Sequence, residues 1–123
     1  MILLEDLIVY KFAMQIGELV YERTVNWDIF NKKNLGDQYT RAADSIALNI
    51  SEGYGRYHYK ENKKFCWYAR GSLYETKTAN QKAYNRKLIT EEEFTDLLNK
   101  LTECHVLLNK YIKSIGSPRA AHQ

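Results

Sequence analysis

The sequence predicts an all-α fold, an up-down-up-down four-helix bundle, and three observations carry that expectation. The only proline is Pro118, so the main helix breaker is missing from everything before it. Apolar residues recur at intervals of three and four in four separate stretches, the period of a helix with one buried face. No stretch alternates apolar and polar residues as a half-buried strand would. A chain of 123 residues fits one domain with its own core. Residues 1–116 are expected to form the bundle, and 117–123, "SPRAAHQ", a disordered tail.

The first helix is set by Leu3, Leu7, Tyr10, Met14, Gly17 and Tyr21. Ile8, Phe12, Ile16 and Leu19 widen its stripe past half the circumference, which suggests a second contact surface. "VNWDIFNKKNLGD" breaks the period and reads as a connection, with Trp27, Ile29 and Phe30 folding back onto a bundle end. The second helix starts near Asp37, with a stripe of Tyr39, Ala43, Ile46, Ile50 and Tyr54 widened by Ala42 and Ala47. Gly53 and Gly55 end it or bend it.

A third helix runs from about Tyr59 to Arg86, with an inner stripe of Phe65, Ala69, Ser72, Thr76, Ala79 and Ala83. These mostly small side chains let a neighbour come close. The fourth helix has the clearest start. In "ITEEEF", Thr90 caps while Glu93 reaches back to the Thr90 amide, and Ile89 and Phe94 are placed as a hydrophobic staple. Its seam is Phe94, Leu98, Leu101, His105, Leu108, Ile112 and Ile115, stopped by Gly116 and Pro118. Short links make successive helices antiparallel neighbours.

Composition narrows the function classes. Net charge is only +3, but from Arg56 to Lys87 nine basic residues face only Glu61 and Glu75. Such clustering speaks of partners rather than fold. Cys66 and Cys104 lie far apart and read as reduced thiols of a cytoplasmic protein. The apolar start "MILLEDLIVYKFAMQ" is broken by Glu5 and Asp6 and lacks a basic leader, so neither a signal peptide nor a membrane span is expected. "GYGRYH" lacks the third glycine and the preceding strand of a dinucleotide loop. Cys104 and His105 point about 100° apart on a helix, which argues against zinc. No nucleophile elbow, paired-carboxylate site or metal-binding helix motif is present. The expectation is a non-enzyme without metal or cofactor.

One stretch is too polar for a simple core helix: "RAADSIALNISEGYGR", Arg41 to Arg56. On a wheel of 100° per residue, Arg41, Asn49, Glu52 and Arg56 fall within about 40° of Ser45, while Ile46, Ile50, Ala43 and Tyr54 lie about 100° or more away. Two readings stay open for this face. It is a solvated surface with Glu52 and Arg56 paired one turn apart, or a polar seam that fixes register against a partner helix or subunit.

These residues resemble the signature of the four-helix bundle family known as 23S rRNA intervening-sequence proteins. There a helix reads approximately Arg-x-Ala-x-Ser-Ile-x-x-Asn-Ile-Ala-Glu-Gly-x-Gly-Arg. Arg41, Ala43, Ser45, Ile46, Asn49, Ile50, Glu52, Gly53, Gly55 and Arg56 fall on it, and Ser51 departs conservatively. Downstream, "YARGSLYET" is similar to the family's Ala-x-Gly-Ser-Leu-x-Glu through Ala69, Gly71, Ser72, Leu73 and Glu75. The resemblance implies a small bacterial bundle protein, believed to bind RNA, with no established catalytic residue. It also implies a likeness to the accessory proteins of diversity-generating retroelements, which form basic pentamers and work with a reverse transcriptase and RNA.

The third helix offers a candidate RNA surface by residue type alone. Lys60, Lys63, Lys64, Arg70, Tyr74 and Gln81 lie within about 60° of Trp67 on the wheel, with Lys77 slightly outside. Cations neutralise phosphates and release counterions, and interleaved Trp and Tyr can stack on unpaired bases. Lys82, Arg86 and Lys87 extend the charge to the helix end, where they also suit the macrodipole. The expected roles are phosphate contact for the cations, stacking for Trp67, and bundle or subunit register for Arg41, Ser45, Asn49, Glu52 and Arg56. The alternative is a protein-interaction scaffold, with Trp67 and Tyr74 in a subunit interface and the basic face meeting an acidic partner.

Overall fold

The computed structural model describes residues 2–116; the expected tail and the Pro118 stop lie outside them. Four long helices, α1 (Ile8–Thr24), α2 (Asp37–Tyr54), α3 (Tyr59–Asn85) and α4 (Glu91–Ser114), make the fold, and no strand occurs among the described residues. Each helix packs on its sequence neighbours, and α4 closes the square on α1. None of these helices is long and apolar enough to cross a membrane.

A one-turn 3-10 helix, Leu4–Asp6, precedes α1. The buried face of α1 is Val9, Ala13, Ile16, Gly17, Val20 and Thr24, which rotates the expected stripe. Leu3, Ile8, Met14 and Tyr21 are exposed, while Tyr10, Phe12 and Leu19 pack at the margin of the core. A helix apolar on most sides does not declare its centre. The small side chains of Ala13 and Gly17 settle it, because they admit the closest neighbour.

The connection is more helical than its sequence suggests. Asp28 caps a single turn, Ile29–Asn31, through its carboxylate and the Asn31 amide N–H. A π-helical turn, Lys32–Gly36, then runs directly into α2. Trp27 does fold back, its ring 6.2 Å from that of Tyr39. Ile29 and Phe30 do not, being 74% and 70% exposed. The turn capped by Asp28 points them away from the bundle end.

In α2 the buried set is Tyr39, Ala42, Ala43, Ile46, Ala47, Ile50 and Gly53, close to the expected stripe. Tyr54 lies at its margin and donates its hydroxyl to the Ile2 carbonyl. The helix runs through Gly53 and stops at Tyr54, with Gly55 still in right-handed conformation. In α3 the core residues are Cys66, Ala69, Leu73, Thr76, Ala79, Asn80 and Ala83. Phe65 and Ser72 of the expected stripe are only half-buried.

The capping box of α4 is complete: the Glu93 N–H donates to Thr90 Oγ1 at 3.1 Å, and the Thr90 N–H to Glu93 Oε1 at 2.9 Å. Ile89 is buried and Phe94 stacks on Tyr84, ring centroids 4.8 Å apart. The seam is Leu97, Leu101, Cys104, Leu108 and Ile112. Leu97 and Cys104 therefore take the places expected of Leu98 and His105, which are half-buried at the flank.

Two polar connections tie the helices together. Tyr39 donates to Asn80 Oδ1 at 2.7 Å, and Asn80 Nδ2 donates to the Phe94 carbonyl at 3.1 Å, linking α2, α3 and α4. At the far end of α1, Arg23 Nη1 donates to the Glu93 carbonyl at 2.7 Å and Nη2 to Asp96 Oδ2 at 3.1 Å. No buried side-chain polar atom lacks a partner among the described residues.

Candidate nucleic-acid interface

Helix α3 buries Ala69, Leu73, Thr76 and Ala83 on one side, and helical geometry then turns the Trp67 side outward. Lys60, Lys64, Trp67, Tyr74, Lys77 and Gln81 are exposed along that strip, and Lys63 and Arg70 are half-buried. Trp67 and Tyr74 keep 49% and 46% of their surface in solvent, a large exposure for such rings. With 27 residues, the helix presents this strip over roughly 40 Å.

Three of the strip's side chains form a built cluster. The Arg70 guanidinium carbon lies 5.5 Å from the Trp67 ring centroid and 5.6 Å from that of Tyr74, within cation–π range of both. Arg70 Nε donates to His105 Nε2 at 3.4 Å. The His105 ring meets Tyr74 edge-on, centroids 5.4 Å apart. His105 comes from α4 and was expected in the seam of that helix. A seam set one residue earlier, at Leu97, Leu101, Cys104 and Leu108, was an equally regular reading and would have placed it here. Lys64 lies 5.9 Å from the Tyr68 ring centroid, a weaker contact of the same kind.

No carboxylate among the described residues pairs with the cations of this face. Among the described residues, ion pairs involve Arg23, Arg56 and Lys100. Lys60, Lys63, Lys64, Arg70, Lys77, Lys82, Arg86 and Lys87 take part in none of them. Lys82, Arg86 and Lys87 are exposed at the end of α3, and Lys87 adopts φ 61°. Arg56 stands apart. It pairs with Glu52 at 2.7 Å and Glu61 at 3.4 Å and lies over Phe65 at 4.8 Å. It thus clasps the turn from α2 to α3 and draws Glu61 away from the lysines.

The polar face of α2 separates into two parts. Ser45 donates to the Arg41 carbonyl at 2.7 Å and Asn49 to the Ser45 carbonyl at 2.9 Å, so both bond their own helix. Arg41 is exposed. The structure brings Glu52, Gly53 and Arg56 together against α3 instead. A β-carbon on Gly53 would stand 2.7 Å from Asn62 Oδ1, 2.9 Å from the Asn62 carbonyl oxygen and 3.0 Å from Phe65 Cβ. Gly55 has no such neighbour closer than 3.6 Å. Gly53 is therefore the point where two backbones nearly touch.

On the opposite side, α1 and α2 border a groove of about 300 Å³ lined by Tyr10, Met14, Gly17, Glu18, Asp44 and Leu48, among others. Burial, and then the Glu18 charge, raises the Asp44 carboxyl above its ordinary pKa. Met14 and Leu48, which line it, are exposed apolar side chains. No group of three or more His, Cys, Asp or Glu that could hold a metal occurs among the described residues.

Comparison with known proteins bears on this geometry. The family described as 23S rRNA-intervening sequence protein matches residues 5–110. A solved structure of a protein of unknown function from the S23 ribosomal protein family of Bacteroides thetaiotaomicron has the same fold, with a TM-score of 0.77 and 22% identity. The match covers 86% of this chain and 99% of that one. No curated protein matches.

Proposed function

Because the chain belongs to the 23S rRNA-intervening sequence protein family, we propose that it is a non-catalytic, cytoplasmic RNA-binding bundle whose ligand lies along the exposed face of α3. The observation that carries this reading is the row of cations from Lys60 to Lys87 that no carboxylate of the described chain pairs with. Phosphates are the complementary ligand for such a row, and counterion release supplies the affinity. Lys60, Lys63, Lys64 and Lys77 would contact phosphates, with Lys82, Arg86 and Lys87 extending the track.

Self-association belongs to the same proposal. The exposed apolar side chains Met14 and Leu48 on the α1/α2 side favour a second copy as occupant. The family resemblance suggests a ring of five. In a ring each modest basic patch is multiplied, so several weak contacts act as one strong one. Native mass spectrometry reads the subunit number directly, and a monomer at micromolar concentration would end this part of the proposal.

The test of RNA binding is retention of a generic RNA at about 50 and about 300 mM salt. Retention should fall steeply with salt and disappear in the Lys63→Glu, Lys64→Glu double variant, with helicity unchanged. No retention at the lower salt would remove RNA as the ligand and leave an acidic protein as the partner that suits the face.

A further inference from the structure

We infer that the α3 face takes unpaired nucleotides rather than a duplex, and that Trp67, Arg70, Tyr74 and His105 form the clamp on which their bases stack. The inference rests on the RNA-binding reading above and adds to it the class of RNA.

The rings stand at the centre of the exposed strip, not at its rim. Trp67 and Tyr74 are seven residues apart, about 10 Å along the helix axis, which matches about three stacked bases at the ~3.4 Å spacing of a strand. Arg70 fills the space between them, held over both rings and by His105 across the interhelical groove. His105 also fixes the Tyr74 ring edge-on. The stacking surfaces are therefore oriented before a ligand arrives, which reduces what must be ordered on binding. Cations bracket the clamp on both sides, with Lys60, Lys63 and Lys64 before it and Lys77 and Lys82 after it.

A duplex makes poor use of this arrangement. Its bases are already stacked on one another, and an A-form helix offers sugar hydroxyls and phosphates to a side chain approaching from outside. Lysines alone would suit that surface, but half-exposed indole and phenol rings at its centre would meet only polar groups. An unpaired strand supplies both complements, flat apolar bases for the rings and phosphates for the lysines. Covering the same rings with a protein surface would strand the surrounding cations unless it brought a matching row of carboxylates.

Tryptophan emission reads the contact, because a base stacked on an indole quenches it. The other tryptophan, Trp27, packs near Tyr39. The difference between the wild type and Trp67→Phe isolates the Trp67 signal without touching that contact. The probes are a uridine homopolymer of about a dozen nucleotides, within the range of single-strand sites, and a hairpin duplex of equal phosphate count closed by a non-nucleotide linker, so that it has no unpaired base. We expect the homopolymer to quench Trp67 and the hairpin to leave it unchanged. Trp67→Ala and Tyr74→Ala should each weaken homopolymer binding about 5- to 150-fold, with helicity intact and hairpin binding unaltered. If both RNAs bind without quenching, or if Trp67→Ala leaves homopolymer affinity intact, the clamp is refuted while RNA binding stands. A change of subunit number in Trp67→Ala at unchanged RNA affinity would assign the rings to a subunit contact and also overturn it. If neither RNA binds at low salt, this inference and the reading beneath it fail together.

Discussion

Lys87 ends α3 in the left-handed region that normally falls to glycine, at φ 61°. The Leu88 N–H donates to the Ala83 carbonyl and the Lys87 N–H to that of Tyr84, which together complete a Schellman turn. A β-carbon in this conformation is unfavourable by about 1–2 kcal/mol, partly offset by the extra freedom glycine has when unfolded. Lys87→Gly should therefore raise stability by about 0.5–1 kcal/mol in urea unfolding. A lower midpoint would mean that the lysine side chain itself holds the turn. The two thiols give a second prediction. Burial pushes Cys66 and Cys104 up to about 12 from an ordinary 9.0. At pH 8 iodoacetamide should label neither in the folded protein and both in urea. The sign for stability follows. Above 9.0 the unfolded thiols ionise while the folded ones stay protonated, so stability falls as pH rises from about 9 toward 12.

Helix by helix, the sequence was readable wherever a signal is local. Thr90 and Glu93 lie three residues apart and need only each other, so the start of α4 was spelled out. Gly53 was recognised as a helix-end glycine, but its reason is the Asn62 backbone on another helix, which no local pattern contains. The register errors share one cause. On α1 and α4 the apolar positions are broad enough to allow seams one residue apart, and only packing chooses between them. That choice moved His105 from the interior to the rim of the basic face, so the fourth member of the aromatic cluster was missed. Ile29 and Phe30 were misplaced because apolar character says nothing of direction once Asp28 has started a helical turn. Asn80 was not singled out, yet it joins three helices. Asn80→Ala leaves the Tyr39 hydroxyl buried without its acceptor and should destabilise by about 1–3 kcal/mol. Tyr39→Phe in that background should recover part of the loss, since it removes the orphaned group. A double-mutant cycle by thermal or urea unfolding measures it.

At the level of the whole molecule, charge is segregated. The α3 face carries cations that pair with no carboxylate among the described residues, while the groove on the α1/α2 side holds Glu18 and Asp44. The sequence foretold the basic half because its cations crowd into one segment. It gave no sign of the acidic groove, since Glu18 and Asp44 meet only when α1 and α2 pack. The order of packing has a kinetic consequence. Among the described residues, three of the four main helix–helix packings join helices adjacent in the chain, and the fourth, α4 against α1, links distant segments. Chains dominated by near-neighbour contacts cross the folding barrier quickly, on a microsecond to millisecond scale. The last event would then be the docking of α4 on α1, clasped by Arg23. Arg23→Met should accelerate unfolding and leave the refolding rate unchanged in stopped-flow traces. A slower refolding limb would put that clasp in the nucleus instead, and the bundle would assemble from its ends inward rather than zip along the chain.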